Sequence, residues 1–225
     1  MFILTNDDGI DAPGIKALAG AIAPDSIIVA APKDHLSGCG HQLTTHRPIQ
    51  VERRNAKAYA IDGTPADCTR IALTHIQKEA KYVLSGINEG GNLGVDVYTS
   101  GTVAAVREAS MHGVPGIAIS QWIKKPLVID WETATAWTVR VLSVLLERSL
   151  PPGSFWNVNL PHLEPGTPEP EIIFCQPSNH PLPVNYRVDG DLFYYYGEYA
   201  KRERAPGTDV DVCFSGNIAV TLLTV

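Results

Sequence analysis

Two adjacent aspartates, Asp7 and Asp8, stand in the stretch TNDDGIDAPGI. They follow the apolar run Phe2, Ile3 and Leu4 and precede Asp11, Ala12 and Pro13, which read as a helix start with proline in its first turn. The acidic pair therefore falls at a strand-to-helix turn, and in open α/β sheets ligands bind outside the carboxyl ends of the strands. Adjacent like charges repel, so the pair calls for a counter-charge. Three more polar clusters have a similar setting: DHLSGCGH at 34–41, SGINEGGN at 85–92 and TSGT at 99–102. On one sheet edge they would gather Asp7, Asp8, a serine hydroxyl, an asparagine amide and several backbone N–H groups around one cleft. Oxygen donors of that kind suit Mg²⁺, Mn²⁺ or Ca²⁺ rather than zinc. A bound cation turns the repelling pair into a binding site. The plainer alternative is that one aspartate caps the following helix.

Other motifs say less on their own. SGINEGGNLG is glycine-rich but does not match G-x-G-x-x-G, so a dinucleotide reading is poor. Ser100, Gly101 and Thr102 stand at the start of a helix, where N-terminal amides and the dipole favour a phosphate, although an ordinary serine or threonine cap uses the same residues. His35 and His41 flank Ser37, but a loop histidine is more often solvated and neither is assigned a role. There is no H-E-x-x-H and no G-x-S-x-G elbow.

The elements that must position these residues alternate strand and helix from residue 1 to about 150, the mark of a mostly parallel sheet. Phe2 to Thr5 is the first strand; Ile15, Leu18, Ala19 and Ile22 recur at helical spacing; SIIVAA at 26–31 is the next strand. PIQVERR and AYAID read as paired strands. A helix follows with Thr64 as N-cap and Pro65 first, its buried stripe expected at Cys68, Ile71, Ala72, His75 and Ile76. Strand YVLSG, loop INEGGNLGVDVYT, helix SGTVAAVREASMHG and strand GIAIS form another unit. A helix from about Glu132 to Arg148 and strand FWNVNL close the regular core, about 1–160. From Pro161 the composition turns proline-rich and aromatic. Residues 161–225 therefore read as a C-terminal arm or hairpin plus a closing segment of one domain, suited to packing on a partner subunit. An excursion folded back on its own domain is the alternative.

Composition sets the frame. The 225 residues are 44% hydrophobic and 19% charged, with a formal net charge of −6, which fits a globular domain and gives no basic footprint for a nucleic acid polymer. No apolar run approaches the roughly 20 residues that cross a bilayer, and the opening lacks a basic leader segment, so a cytoplasmic protein without membrane partners is expected. Cys39, Cys68, Cys175 and Cys213 are scattered without a C-x-x-C pair and read as reduced thiols.

Taken together, TNDDGIDAPGI, the loop ending in Ser37 and Gly38, IDGTPADCTRIAL, VLSGINEGGNLG, SGTVAAVREA, NVNLP and GTDVDVCFSGNIAVTLL resemble the SurE family of survival-protein nucleotidases in order and spacing. The resemblance implies a Rossmann-like, doubly wound core with a C-terminal arm exchanged between subunits, giving homodimers or homotetramers. It implies a metal-dependent phosphatase acting on nucleoside 5′- and 3′-monophosphates, with short polyphosphate as a side substrate. Carried over by motif, Asp7, Asp8, Ser37 and Asn88 would hold one divalent cation per subunit, Mg²⁺ or Mn²⁺ with Ca²⁺ admissible. Asn92, Ser100, Gly101 and Thr102 would hold the substrate phosphate. Three places depart from the family's habit: Tyr98 lies one residue early, with Thr99 before SGTV; Leu36 stands where glutamine often precedes SG; and the sequence closes on TLLTV where a TPL-like ending is common.

The chemistry expected is phosphomonoester hydrolysis in which Asp7 and Asp8 are catalytic, the nucleophile being a cation-activated water. Direct attack by Asp8 is the alternative, but haloacid dehalogenase-type phosphatases use D-x-D rather than an adjacent pair. The rival classes are a receiver-like sensor, which also carries an acidic pair after its first strand, and a module that binds phosphate or nucleotide without turnover. Receivers also need a later aspartate and lysine, which have no evident place here.

Overall fold

Hydrophobic residues alternate in direction along the central strands. Ile3, Val83 and Ala118 face one layer while Leu4, Leu84, Ile117 and Ile119 face the other, and all are wholly buried. Strands covered on both faces belong to parallel sheets. The structure, a computed structural model, describes residues 1–225. Its strands are β1 (Phe2–Thr5), β2 (Ile27–Pro32), β3 (Val51–Arg53), β4 (Ala58–Ile61), β5 (Tyr82–Glu89), β6 (Gly116–Gln121), β7 (Ser154–Leu160), β8 (Ile172–Phe174), β9 (Tyr186–Asp189), β10 (Leu192–Tyr195) and β11 (Ile218–Thr224). The helices are α1 (Pro13–Gly20), α2 (Pro65–Ile71), α3 (Gly101–Met111), α4 (Trp131–Leu145) and α5 (Asp209–Phe214).

Nine strands make one sheet in the order β3-β4-β2-β1-β5-β6-β7-β11-β8. Only the β3–β4 and β7–β11 pairings are antiparallel. From β1 the sheet grows through β2 and β4 on one side and through β5, β6 and β7 on the other, so the winding reverses between β1 and β5. This is the doubly wound, Rossmann-like α/β architecture expected from the sequence.

Helices α1 and α4 bring Leu18, Val141, Leu142 and Leu145 to one face, and α2 and α3 bring Cys68, Val103, Val106 and Ala109 to the other. Each fully buried aliphatic side chain contributes about 1.5–3 kcal/mol relative to exposure. The helix starts follow local chemistry: Thr64 and Asp67 form a reciprocal capping box, and the Ser100 hydroxyl accepts from the Val103 N–H at 3.1 Å.

Three local expectations change. Ile22 lies just beyond α1, which stops at Gly20. His75 is exposed rather than buried, because the end of α2 widens into a π turn over Ala72–Ile76 that turns Leu73 inward instead. Strand β5 runs on through Asn88 and Glu89, which pair with Ser120 and Gln121 of β6 after a register shift. Within 161–225, β8 and β11 join the main sheet, and α5 closes a smaller core with Leu93, Trp122 and Ala219. Only the β9–β10 hairpin stands apart, with every residue of both strands exposed.

Candidate active site

The turn after β1 is set by its own residues. Asn6 Nδ2 donates to the Gly9 carbonyl at 2.8 Å, and Gly9 takes φ +102°, a conformation that glycine adopts without penalty. The turn leaves Asp7 and Asp8 at the carboxyl end of β1, beside β5, at the point where the winding reverses and ligands of such sheets bind.

Five of the expected residues meet there. The Thr102 hydroxyl lies 2.5 Å from Asp7 Oδ1, to which it donates, and 3.3 Å from Asn88 Oδ1. The Thr102 N–H also donates to Asp7 Oδ2 at 3.3 Å. Asn88 Nδ2 donates to the Gly90 carbonyl at 2.7 Å, and the Glu89 N–H donates to Asp8 Oδ2 at 3.1 Å. Gly101 allows this closeness, because a β-carbon there would stand 2.8 Å from Cys39 Sγ and 2.9 Å from Asp7 Cβ.

The other expected residues are placed differently. Ser37 is exposed and is brought near only through its neighbours: the Leu36 N–H donates to the Asp7 carbonyl at 2.8 Å, and the Gly40 N–H to the Thr99 carbonyl at 3.0 Å. Ser100 caps α3. Asn92 is buried as a polar hub: its Nδ2 donates to Ser120 Oγ at 2.8 Å, its N–H to Asn159 Oδ1 at 2.7 Å, and its carbonyl accepts from Asn157 and Asn159.

Burial governs the electrostatics. Asp7 is 3% exposed, and burial raises its carboxyl pKa against the opposing hydrogen bonds from Thr102. Asp8 is raised by burial and then by the charge of Asp7. The one basic side chain at hand is His35, with Nδ1 3.4 Å from Asp8 Oδ1 and its own side chain largely exposed. No group of three or more His, Cys, Asp or Glu side chains forms a metal centre. The available set is two carboxylates with amide and hydroxyl oxygens, all hard donors. A desolvated acidic pair without a lysine or arginine partner fits a hard divalent cation. Cys39 beside Asp7 is no nucleophile, since burial and then Asp7 push its thiol up to about 11.

Sequence reasoning left out His35 and His41. The first sits against Asp8, and the second ties the serine loop to Glu108 on α3, with Nε2 2.7 Å from Oε2. The pattern HLSGCGH held both histidines, but their partners are distant in sequence.

The family described as Survival protein SurE matches residues 2–180. The chain belongs to the SurE family. A SurE protein of Aquifex aeolicus has a crystal structure that covers 99% of this chain and 92% of its own, with a TM-score of 0.85 and 33% identity. The alr3139 protein of Nostoc sp. (strain PCC 7120) is 67% identical over 223 residues, 99% of each chain. The 5'-nucleotidase SurE of Paramagnetospirillum magneticum is 37% identical, over 98% of this chain and 88% of that one. In this SurE-family chain no helix is long and apolar enough to cross a membrane.

Proposed function

We propose that this SurE-family chain is a metal-dependent 5′-nucleotidase that hydrolyses nucleoside monophosphates to nucleoside and phosphate. The observation that carries the reading is the meeting of Asp7, Asp8 and Asn88 with the N-terminus of α3 at the winding reversal of the sheet. It is supported by relatives whose printed name is 5'-nucleotidase SurE. A divalent cation, Mg²⁺ or Mn²⁺, held by Asp7, Asp8, Asn88 and Ser37 would neutralise phosphoryl charge and lower the pKa of a bound water.

The chain's own residues do the rest. Thr102 orients Asp7 through two hydrogen bonds, and the Glu89 N–H orients Asp8. Ser100, Gly101 and Thr102 set the positive end of the α3 dipole against the phosphate. The second N–H of the Asn92 amide, whose first is engaged by Ser120, is its donor for a phosphate oxygen. Activity on 3′-esters and a cytoplasmic site belong to the same proposal. So does a homodimer or homotetramer built through the exposed β9–β10 hairpin.

Phosphate release from AMP, GMP and their 3′-isomers, with Mn²⁺, Mg²⁺ or EDTA, tests it. Metal-dependent turnover that disappears in Asp8→Asn is the expected result. Folded protein that releases no phosphate from any ester under any metal overturns it. A stable phosphoprotein without free phosphate would instead identify a receiver.

A further inference from the structure

The serine loop, residues 33–50, joins β2 to β3 without a helix or strand of its own. Its tip is a turn from Leu36 to Cys39, closed by the Cys39 N–H on the Leu36 carbonyl at 3.3 Å, with Ser37 exposed at the corner. An exposed side chain has little packing to fix it. Its place at the acidic turn therefore depends on how the loop is tied on either side.

On the leading side the tie is direct, from the Leu36 N–H to the Asp7 carbonyl at 2.8 Å. On the trailing side three ties follow: the Gly40 N–H donates to the Thr99 carbonyl at 3.0 Å, His41 Nε2 stands 2.7 Å from Glu108 Oε2, and the Thr44 N–H donates to Asp67 Oδ1 at 3.0 Å. The His41 tie has the firmest anchor. Glu108 is 1% exposed and also receives Arg70 from α2 and His112 from its own helix. Hydrogen bonds to an ionised group are stronger than neutral ones. At its other end the same helix presents Thr102 to Asp7. Helix α3 thus holds both sides of the cleft, Asp7 through Thr102 and the serine loop through Glu108.

We propose that His41 is a positioning residue of the cation site, holding Ser37 at the acidic turn through its bond to Glu108. The proposal rests on the metal-dependent reading of Asp7, Asp8, Asn88 and Ser37, and adds to it a residue that touches neither cation nor substrate. Loss of a partner one step removed from a metal costs about 10- to 100-fold in affinity. His41 acts through the loop backbone and beside the Gly40 bond, so its share belongs at the lower end of that range.

The test is Mn²⁺ binding by calorimetry, which needs no turnover. It compares wild type, His41→Ala, His41→Gln, Ser37→Ala, the double variant Ser37→Ala with His41→Ala, and His112→Ala, each checked for folding by circular dichroism. If the alanine variant at 41 does not fold, His41→Asn, whose amide is too short to reach Glu108, takes its place. The expected result is that His41→Ala weakens Mn²⁺ about tenfold in an otherwise wild-type chain and by less than about twofold once Ser37 is alanine. His41→Gln, with an amide N–H near the place of the imidazole Nε2, restores most of the affinity. His112→Ala removes another partner of Glu108 without touching the loop, and leaves the affinity within about twofold of wild type.

Equal losses from His41→Ala with and without the Ser37 hydroxyl overturn the positioning role. So does a loss from His112→Ala as large as that from His41→Ala, because the effect then comes from the general stability of α3. Unchanged affinity in folded Ser37→Ala or His41→Ala overturns the role as well and leaves the metal reading standing. A wild-type protein that binds no Mn²⁺ overturns the metal reading itself, and the role of His41 with it.

Discussion

Helix α3 has a buried carboxylate near each end, and their surroundings are opposite. Against its N-terminus Asp7 is held by neutral donors from Thr102, with Asp8 as its charged neighbour. Toward its C-terminus Glu108 is equally buried, but its oxygens receive Arg70, His41 at 2.7 Å and His112 at 3.0 Å. Burial alone would raise Glu108; the hydrogen bonds from His41 and Arg70, the charge of Arg70 and the bond from His112 outweigh it and hold the carboxyl at about 2. Burial wins at Asp7, which is raised. One carboxylate is balanced from within the chain and the other is not. The balanced one is structural, fastening α2 and the serine loop to α3; the unbalanced one suits the cation of the proposed mechanism.

The largest effect expected from this contrast is on turnover. Asp8→Asn should reduce kcat/KM for AMP by more than the 10- to 100-fold that loss of an outer-shell metal partner costs, with the fold intact by circular dichroism. A variant with near-normal turnover would break the contrast at its functional end. Metal should also stabilise the wild type, by about 2.7 kcal/mol at a concentration of 100 Kd. Asp7→Asn should lose most of that gain while its metal-free melting temperature stays at or above the wild-type value, because a buried unbalanced charge has been removed. A metal-free Asp7→Asn protein that melts well below wild type would mean that Asp7 is balanced after all.

At the other end of α3, Glu108→Gln should destabilise the protein by about 2 kcal/mol, below the 3–5 kcal/mol of a fully buried pair because the partners are partly exposed. For a chain of this size that lowers the melting temperature by about 4–8 °C. The sign with pH follows from the depressed folded value: the contribution is complete above the ordinary carboxyl value of 4.5 and is lost as pH falls toward about 2. Wild type should therefore lose more stability than Glu108→Gln between those values, as read by urea midpoints across the range. The smallest effect on the cleft should come from Leu192→Asp with Phe193→Asp in the hairpin. This pair of changes should lower the solution mass measured by light scattering while leaving the far-ultraviolet spectrum unchanged.

Much of the architecture could be read from local pattern. Short apolar runs marked β1, β2, β5 and β6, and Thr64 and Ser100 announced their helices because capping is a contact of three residues. The meeting of Asp7 with Asn88 and Thr102 could be expected only from the rule that strand ends share an edge. Its distances depend on Gly101, whose need for a missing β-carbon is invisible in the sequence. Asn88 was read as part of a loop because its strand pairing needs Ser120, 32 positions on. Asn92 carried no sign of its ties to Ser120, Asn157 and Asn159. Glu108 looked like one more charge in VREAS, and its three partners come from separate elements. Likewise, the rhythm of the closing segment gave no notice that β11 would enter the main sheet.

The position of β11 has a consequence for the order of synthesis. All the side chains of the acidic cleft lie before residue 103, and its sheet neighbours are in place once β6 has formed. Strand β7, however, has β6 on one side only until residues 218–224 arrive and pair along its other edge. During translation a nearly finished chain would present β7 as a bare strand edge, open to pairing with another nascent chain. A ribosome stalled before Ile218 would thus hold a protein with the side chains of its acidic cleft made but its sheet unsealed.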